Sequence, residues 1–245
     1  MIQLLQNQNS PVQPRGSVAT KIAADLFAYG TGYPFLTAWQ QLNGQNRQTA
    51  LLCQKDSALL LSVKSHANLQ ELIAFTQAVG GQFLQVQGPW PPQSLKAPRR
   101  FYEYCLNPPP ANGQLPAGLV TQQECLKACY QILYREPSPD LAPVEFNSWY
   151  ADLSHKIRHG AAFCAVLNGA AVVVSHLYGG NAVISGVAVQ KALRRGGRGR
   201  RLLAALPALL PKVQQFYVCC SPQTQAFYTA CGFGATGKTV LTGRL

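Results

Sequence analysis

One stretch of the sequence groups residues that could bind an anion, at the point where an apolar strand gives way to an apolar helix. It holds three glycines and five arginines: Gly196, Gly197 and Gly199, with Arg194, Arg195, Arg198, Arg200 and Arg201. Loop amides and first-turn N–H groups lack intrahelical partners at such a junction, and the helix dipole favours negative charge there. Glycines let an oxyanion approach the backbone, and arginines add charge-assisted donors. The pattern therefore predicts a cradle for a diphosphate group.

This loop does not match the two common nucleotide-binding fingerprints. The P-loop pattern GxxxxGK[ST] is absent from the sequence. Gly197 and Gly199 supply the first two glycines of GxGxxG, but Leu202 stands at the third position, and no acidic residue follows at the expected spacing of about 20 residues. We therefore expect neither a P-loop nucleoside triphosphatase nor a dinucleotide-binding domain.

Two segments together resemble the GNAT family of N-acetyltransferases. Residues 194–199, Arg-Arg-Gly-Gly-Arg-Gly, resemble the family's pyrophosphate motif, Arg/Gln-x-x-Gly-x-Gly/Ala, which lies between a strand and a helix. Tyr228 and the pair Gly232-Phe233, about thirty residues further on, resemble the family's Tyr-x-x-x-Gly-Phe segment. The resemblance covers roughly residues 97–245, and the preceding segment resembles a degenerate, partial copy of the same fold.

The resemblance implies a function: direct transfer of an acetyl group from acetyl-CoA to an amine of a small molecule or peptide. It assigns cofactor contacts to Val187, Ala188, Val189, Arg194, Arg195, Gly196, Gly197, Arg198, Gly199, Arg200 and Ser221. Backbone N–H groups of residues 187–189 would hold the thioester carbonyl, and the 194–200 loop would bind the pyrophosphate. Tyr228 would be the general acid, because a phenol with a pKa near 10 keeps its proton at neutral pH. Lys191 and Ser221 depart from the family pattern, where Pro and Asn are common.

A base for the amine is not evident from the sequence. No Asp or Glu follows Asp152, so the three central strands carry no carboxylate. Four residues stay open as candidates, without a preference among them: Asp152, Glu145, His155 and His176.

We expect no metal site. The eight cysteines include no CxxC pair, although Cys125 and Cys129 are one helical turn apart. His155 and His159 have the spacing of a metal pair but lack the adjacent Glu of metalloprotease helices. The first ten residues have no positively charged segment typical of a secretory signal, so we expect free thiols in a cytoplasmic protein.

The longest uncharged stretch, residues 161–190, is long enough to span a bilayer. However, Asn168-Gly169 and Gly179-Gly180-Asn181 divide it into pieces of strand length. We therefore predict three strands joined by tight turns, and no membrane association.

Proline density at residues 88–92, Gly-Pro-Trp-Pro-Pro, marks a connector, so we predict domains at 1–96 and 97–245. In the first, apolar runs at 49–53 and 58–63 predict a hairpin. Asn68 caps a helix that ends at Gly80, and a strand follows at 83–86. This smaller β-β-α-β domain is expected to be structural.

The second domain is predicted as β-α-α-β-β-β-α-β-α, an α/β (α+β) arrangement. The expected fold is GNAT-like, a mixed and mostly antiparallel central sheet flanked by helices. Thr121 and Glu124 form a predicted capping box, and Pro143 suits the first turn of the next helix. A loop is expected at residues 108–113.

The net charge of +12 is uneven, because residues 1–95 carry +2 and residues 96–245 carry +10. A basic half of this kind favours an anionic partner. Two alternatives stay open beside the acetyltransferase: a GNAT module that binds acyl-CoA without catalysis, and a nucleic-acid-binding protein. The basic half lacks the interleaved aromatic residues on which single-strand binding depends, so nucleic acid is not the favoured partner. The acceptor amine and the oligomeric state are left open.

Overall fold

A computed structural model describes residues 1–5, 14–108, 115–135, 138 and 140–245. The chain forms two compact units, one made of Met1–Glu103 with Gly237–Leu245 and the other of Tyr104–Thr236. The elements up to residue 87 are β1 (Ile2–Leu4), α1 (Ser17–Tyr29), β2 (Leu36–Leu42), β3 (Gln48–Lys55), β4 (Ala58–Val63), α2 (Leu69–Val79) and β5 (Phe83–Gln87). Those that follow are β6 (Lys96–Leu106), β7 (Leu119–Thr121), α3 (Leu126–Tyr134), α4 (Phe146–Arg158), β8 (Phe163–Leu167), β9 (Ala170–Tyr178), β10 (Asn181–Val189), α5 (Arg198–Leu209), β11 (Gln215–Cys220), α6 (Gln225–Ala230) and β12 (Gly234–Arg244).

The sheet of the first unit has the strand order β1-β2-β3-β4-β5-β12. Strands β4 and β5 are parallel, and the other neighbours are antiparallel. Leu72 of α2 packs with Leu52 and Leu61 on one face of this sheet. Because side chains alternate along a strand, the sheet has a second face. Helix α1 covers that face, and its Val18 and Ile22 are fully buried.

The sheet of the second unit has the order β11-β10-β9-β8-β7, with β10 and β11 parallel and the rest antiparallel. Leu202 of α5 packs with Phe216 and Val172 on one face. Cys129 of α3 and Leu153 of α4 pack on the other. The prediction of a mixed, mostly antiparallel sheet flanked by helices is confirmed.

Local signals in the sequence correspond well to several elements. The uncharged stretch forms β8, β9 and β10, and among the described residues no helix has both the length and the apolarity needed to cross a membrane. The 49–53 and 58–63 runs form the β3–β4 hairpin. The Asn68 side chain accepts a hydrogen bond from the Glu71 N–H, and Gly80 ends α2 in a left-handed conformation. The structure thus confirms the predicted three strands, the β3–β4 hairpin, the Asn68 cap and the helix end at Gly80.

The predicted β-β-α-β domain was incomplete, because the first unit also contains β1, α1, β2 and β12. Among the described residues, no side chain close to helix α1 in sequence caps its start. Its first N–H groups instead donate to side chains that are distant in sequence. Ser17 N donates to Glu103 Oε2 at 2.7 Å, and Val18 N donates to Gln87 Oε1 at 3.3 Å. A cap 86 residues away leaves no local pattern to detect.

We predict that Glu103→Ala lowers the free energy of unfolding by about 2 kcal/mol, because it removes the acceptor of a buried backbone donor. The Gln87 side-chain amide, which also donates to Glu103 Oε2, would lose its partner too. Glu103→Gln keeps an acceptor oxygen and should cost clearly less. Urea unfolding of both variants tests this, and equal midpoints for Glu103→Ala and wild type would contradict it.

Two predicted helix starts are wrong. Thr121 makes no capping hydrogen bond, because Gln122 takes a left-handed φ of 62° and a 3₁₀ turn follows before α3 begins at Leu126. Helix α4 begins at Phe146 rather than near Pro143, and Glu145 caps it by accepting from two N–H groups.

Two predictions, the loop at residues 108–113 and the two domain ranges, are not tested by the structure. Most of the loop expected at residues 108–113 lies outside the described residues. Compactness does not test the identity of a domain, so the domains 1–96 and 97–245 stay predictions.

Candidate functional site

The two parallel strands of the second unit separate along their length. Strand β10 pairs with β11 only over Asn181–Ile184, whereas it pairs with β9 as far as Val189. Register shifts in the β9–β10 ladder fall between Val183 and Gly186, where the β10–β11 pairing ends. Such bulges bend a strand and interrupt its pairing. The carboxyl-terminal half of β10 therefore has an open edge on the β11 side.

Backbone donors line this open edge. Gln190 N donates to Gly169 O, toward β9. Strand N–H groups alternate between the two edges, so those of Val187 and Val189 point to the β11 side, while that of Ala188 points to β9. Val187 and Val189 thus have the orientation that the sequence prediction required, and Ala188 does not.

The glycine and arginine loop forms the start of α5. Arg195 and Gly197 both have left-handed φ angles, of 64° and 70°. Turn conformations of this kind gather N–H groups into anion-binding concavities. Among the described residues, no side chain caps α5, and the first intrahelical bond runs from Arg201 N to Gly197 O. The N–H groups of residues 198–200 are therefore available to a ligand.

Three arginines of the loop are used to hold its shape. Arg194 Nε donates to Val189 O at 3.0 Å, and Arg198 Nη1 donates to Asn168 O at 2.8 Å. Arg201 Nη2 donates to Gly196 O at 3.1 Å. Arg195 and Arg200 are exposed and make no such hydrogen bond among the described residues, so their guanidinium groups are the ones best placed to meet an anion from solvent.

Gly199 lets the first turn of α5 pack closely against its surroundings. A Cβ at this position would lie 3.4 Å from the Phe227 ring and 3.4 Å from a Val189 methyl. Beside this junction, a pocket of about 980 Å³ extends between α3 and residues 189–194. Its cationic lining includes Arg135, Lys191 and Arg194. The end of β10, the loop and this pocket thus form one continuous, positively charged site.

Tyr228 of α6 is buried in the core next to this site. Its ring makes edge contacts with Phe227 and Phe233, at centroid distances of 5.1 and 5.7 Å. Its hydroxyl has no hydrogen-bond partner among the described residues. Burial, reinforced by the negative charge of Asp140, raises the pKa of the Tyr228 phenol. The raised pKa keeps the phenol protonated at neutral pH.

Asp140 is a site residue that the sequence analysis did not consider. Its Oδ1 accepts from Ser221 N at 3.0 Å, and its Oδ2 accepts from the Thr224 hydroxyl. It thereby fixes the turn between β11 and α6, which carries Tyr228. Ser221 Oγ is buried without a partner in the described part of the chain and can bond a ligand. Only proximity in the fold identifies Asp140, because it lies 81 residues from Ser221 in sequence.

The four candidate bases lie elsewhere in the second unit. Asp152 Oδ2 lies 3.2 Å and His176 Nε2 lies 3.0 Å from Lys156 Nζ, which is fully buried. Glu145 caps α4, and its two accepted backbone hydrogen bonds lower the pKa of its carboxyl group. His155 packs on the His159 ring at 4.4 Å. Asp152 and His176 thus share a buried lysine, while Glu145 stabilises a helix end.

Comparison with known proteins identifies the class of this site. Residues 137–243 match a family model described as an acetyltransferase (GNAT) domain. Residues 137–243 are therefore a GNAT acetyltransferase domain. No curated protein sequence matches the chain.

Solved structures with the same fold extend over both units. A tandem GNAT protein from the clavulanic acid biosynthesis pathway has a TM-score of 0.56 at 15% identity, covering 100% of this chain and 98% of its own. A GCN5-related N-acetyltransferase from Kribbella flavida has a TM-score of 0.55 at 13% identity, covering 94% and 96%. Another, from Sphaerobacter thermophilus, has a TM-score of 0.54 at 15% identity, covering 92% and 85%. At these identities the likeness shows the fold alone.

Proposed function

We propose that this protein transfers an acetyl group from acetyl-CoA directly to an amine. The observation that carries the proposal is the open edge of β10 next to the uncapped start of α5. Together they offer donors for a thioester carbonyl and for a diphosphate within one site. The exposed Arg195 and Arg200 add positive charge where the diphosphate would lie.

The residues present fit acetyl-CoA on two separate grounds. The first N–H groups of α5 have no side-chain cap. Ser221 Oγ is a buried hydroxyl that needs a partner. Each leaves a hydrogen-bond donor that the cofactor can use.

The mechanism assigns one task to each group of residues. Acetyl-CoA supplies the activated acetyl group as a thioester. The α5 N–H groups with Arg195 and Arg200 hold the diphosphate, and the Val187 and Val189 N–H groups orient the carbonyl and stabilise negative charge on its oxygen. Tyr228 gives its proton to the departing sulfur. Asp140 holds the turn between β11 and α6, the helix that carries Tyr228. The amine loses its proton to a base or to water as the new C–N bond forms.

Calorimetric titration with acetyl-CoA tests the cofactor assignment. We expect saturable one-to-one binding that survives moderate salt. Arg195→Ala should weaken binding about tenfold, because it removes a charge-assisted contact. Arg47→Ala, which removes an exposed arginine in the first unit, is the matched control and should bind as wild type does.

Turnover is then measured with a panel of amino sugars, amino acids, polyamines and lysine peptides, by chromatographic separation of CoA. Chromatography avoids thiol reagents, which would also react with the protein's own cysteines. Binding without turnover of any amine would favour a catalytically silent acyl-CoA-binding module, in line with the lack of carboxylates on the three central strands. A folded protein that does not bind acetyl-CoA would overturn the proposal, and steeply salt-dependent retention on DNA or RNA would then favour nucleic acid.

A further inference from the structure

Three cysteines from separate parts of the second unit meet in its core. Cys125 precedes α3, Cys129 lies one turn into α3, and Cys164 lies on β8; all three side chains are buried as free thiols. The three sulfur atoms lie within 4.8 Å of one another. The Cys125 and Cys164 sulfurs are 3.3 Å apart, and those of Cys125 and Cys129 are 3.8 Å apart.

A backbone oxygen completes the group. Gln122 O lies 3.3 Å from Cys125 Sγ and 3.2 Å from Cys164 Sγ. Gln122 holds the left-handed φ of 62° that directs its carbonyl there, a conformation that costs energy for a residue with a side chain. The same strained turn prevents the helix start expected at Thr121.

These separations match one tetrahedral metal ion. Sulfurs bound to zinc at about 2.3 Å lie about 3.8 Å apart in a tetrahedron. The Cys125–Cys129 distance already has this value, and the shorter Cys125–Cys164 distance must widen by about 0.5 Å to reach it. The Gln122 carbonyl oxygen lies beside two of the three sulfurs and can supply a fourth ligand. Zinc in structural sites is most often held by three or four cysteine thiolates with no open position.

The electrostatic setting also suits a thiolate-bound cation. Three thiolates around Zn²⁺ carry a net charge of −1, and Cys125 is the N-cap of α3, where the helix dipole favours negative charge. The surrounding residues are apolar and exclude water: Leu126, Leu133, Leu153, Ala162 and Val173.

We propose that Cys125, Cys129 and Cys164, with the Gln122 carbonyl oxygen, bind one zinc ion. Zn²⁺ displaces the thiol protons to solvent and forms three Zn–S bonds, with no redox change. The bound ion joins the 122–125 turn, α3 and β8, so it fixes the helix that lines the 980 Å³ pocket. This differs from the sequence analysis, which expected no metal because the eight cysteines include no CxxC pair.

Titration of the full chain with Co²⁺ tests the site. The protein is first reduced and stripped with a chelator under anaerobic conditions. We expect one equivalent to bind, with thiolate-to-metal charge-transfer absorption and the visible bands of tetrahedral cobalt. Added Zn²⁺ should displace it. Cys164→Ser should lower the affinity about 100-fold. Cys53→Ser, which alters a buried cysteine of the first unit, should change nothing.

Circular dichroism checks that the variants fold, and the wild-type titration does not depend on them. A folded, reduced wild-type protein that takes up no Co²⁺ would overturn the proposal. Undiminished uptake by Cys164→Ser would do the same, because the metal would then bind elsewhere. A Cys125–Cys164 disulfide that forms in the presence of saturating Zn²⁺ would identify the cluster as a redox pair instead.

Discussion

Replacing Tyr228 by Phe should lower kcat about 100-fold with little change in the KM for acetyl-CoA. General acid catalysis contributes about 100-fold or more, and the phenol hydroxyl is the only group that the substitution removes. The ring remains to pack on Phe227 and Phe233, so the fold should be intact. Steady-state kinetics with an amine that the wild-type protein acetylates would measure the effect.

Tyr217→Phe is the matched control for this experiment. Tyr217 is also a buried tyrosine of the second unit, but its hydroxyl donates to Gln215 in its own strand. Alternation along β11 places it on the face opposite Phe216 and Val218, which share the core with Tyr228. Its removal should leave kcat near the wild-type value. Equal kcat values for Tyr228→Phe and Tyr217→Phe would show that Tyr228 is not the acid.

The pH profile provides a second readout of the same role. The pKa of Tyr228 is raised, first by burial and then by the Asp140 charge. A raised pKa means that the phenol keeps its proton beyond its ordinary value of about 10. Activity should therefore not fall through ionisation of Tyr228 below about pH 10. A fall at lower pH that disappears in Tyr228→Phe would contradict this assignment.

The largest effect on stability is expected at Gly88. This glycine has a φ of 113°, and a Cβ there would lie 2.1 Å from the Val63 carbonyl oxygen, which is backbone and cannot rotate away. Gly88→Ala should therefore lower the free energy of unfolding by at least about 3 kcal/mol. Roughly 1 kcal/mol comes from the positive φ and the rest from the clash.

Gly80→Ala separates these two contributions. Gly80 also has a positive φ, of 78°, but a Cβ there would meet nothing within 4 Å. It should cost only about 1 kcal/mol. Urea unfolding followed by circular dichroism compares the two variants. Similar midpoints would mean that the β4 and β5 ends adjust to the extra carbon, so the close contact does not constrain them.

Local patterns predicted those elements whose signals lie within a few residues. Strands β8 to β10 followed from the Gly and Asn turns that divide an uncharged stretch. The Asn68 cap and the Gly80 stop followed from side-chain and backbone chemistry at single positions. The anion-binding loop at 194–199 followed from its glycines and arginines at a strand–helix junction. Its coenzyme and the role of Tyr228 followed from the family resemblance, which the GNAT model matching residues 137–243 supports.

Features built from distant residues gave no such signal. Helix α1 depends on Glu103 for its first hydrogen bond, and the turn between β11 and α6 depends on Asp140. The third cysteine of the cluster is contributed by β8, 35 residues after Cys129 in the printed sequence. In each case the two partners meet only because the folded chain packs them together. Their spacing along the sequence does not reveal this contact.

The return of β12 to the first unit has a consequence for protein synthesis. Strand β5 is translated by residue 87, but its partner residues, Val240–Arg244, emerge about 150 residues later. At about 5 to 20 residues per second, the ribosome needs roughly eight to thirty seconds to make that interval. Throughout it, one edge of the nascent amino-terminal sheet has no strand to cover it, and unpaired edges invite aggregation. The amino-terminal unit is encoded first but completed last.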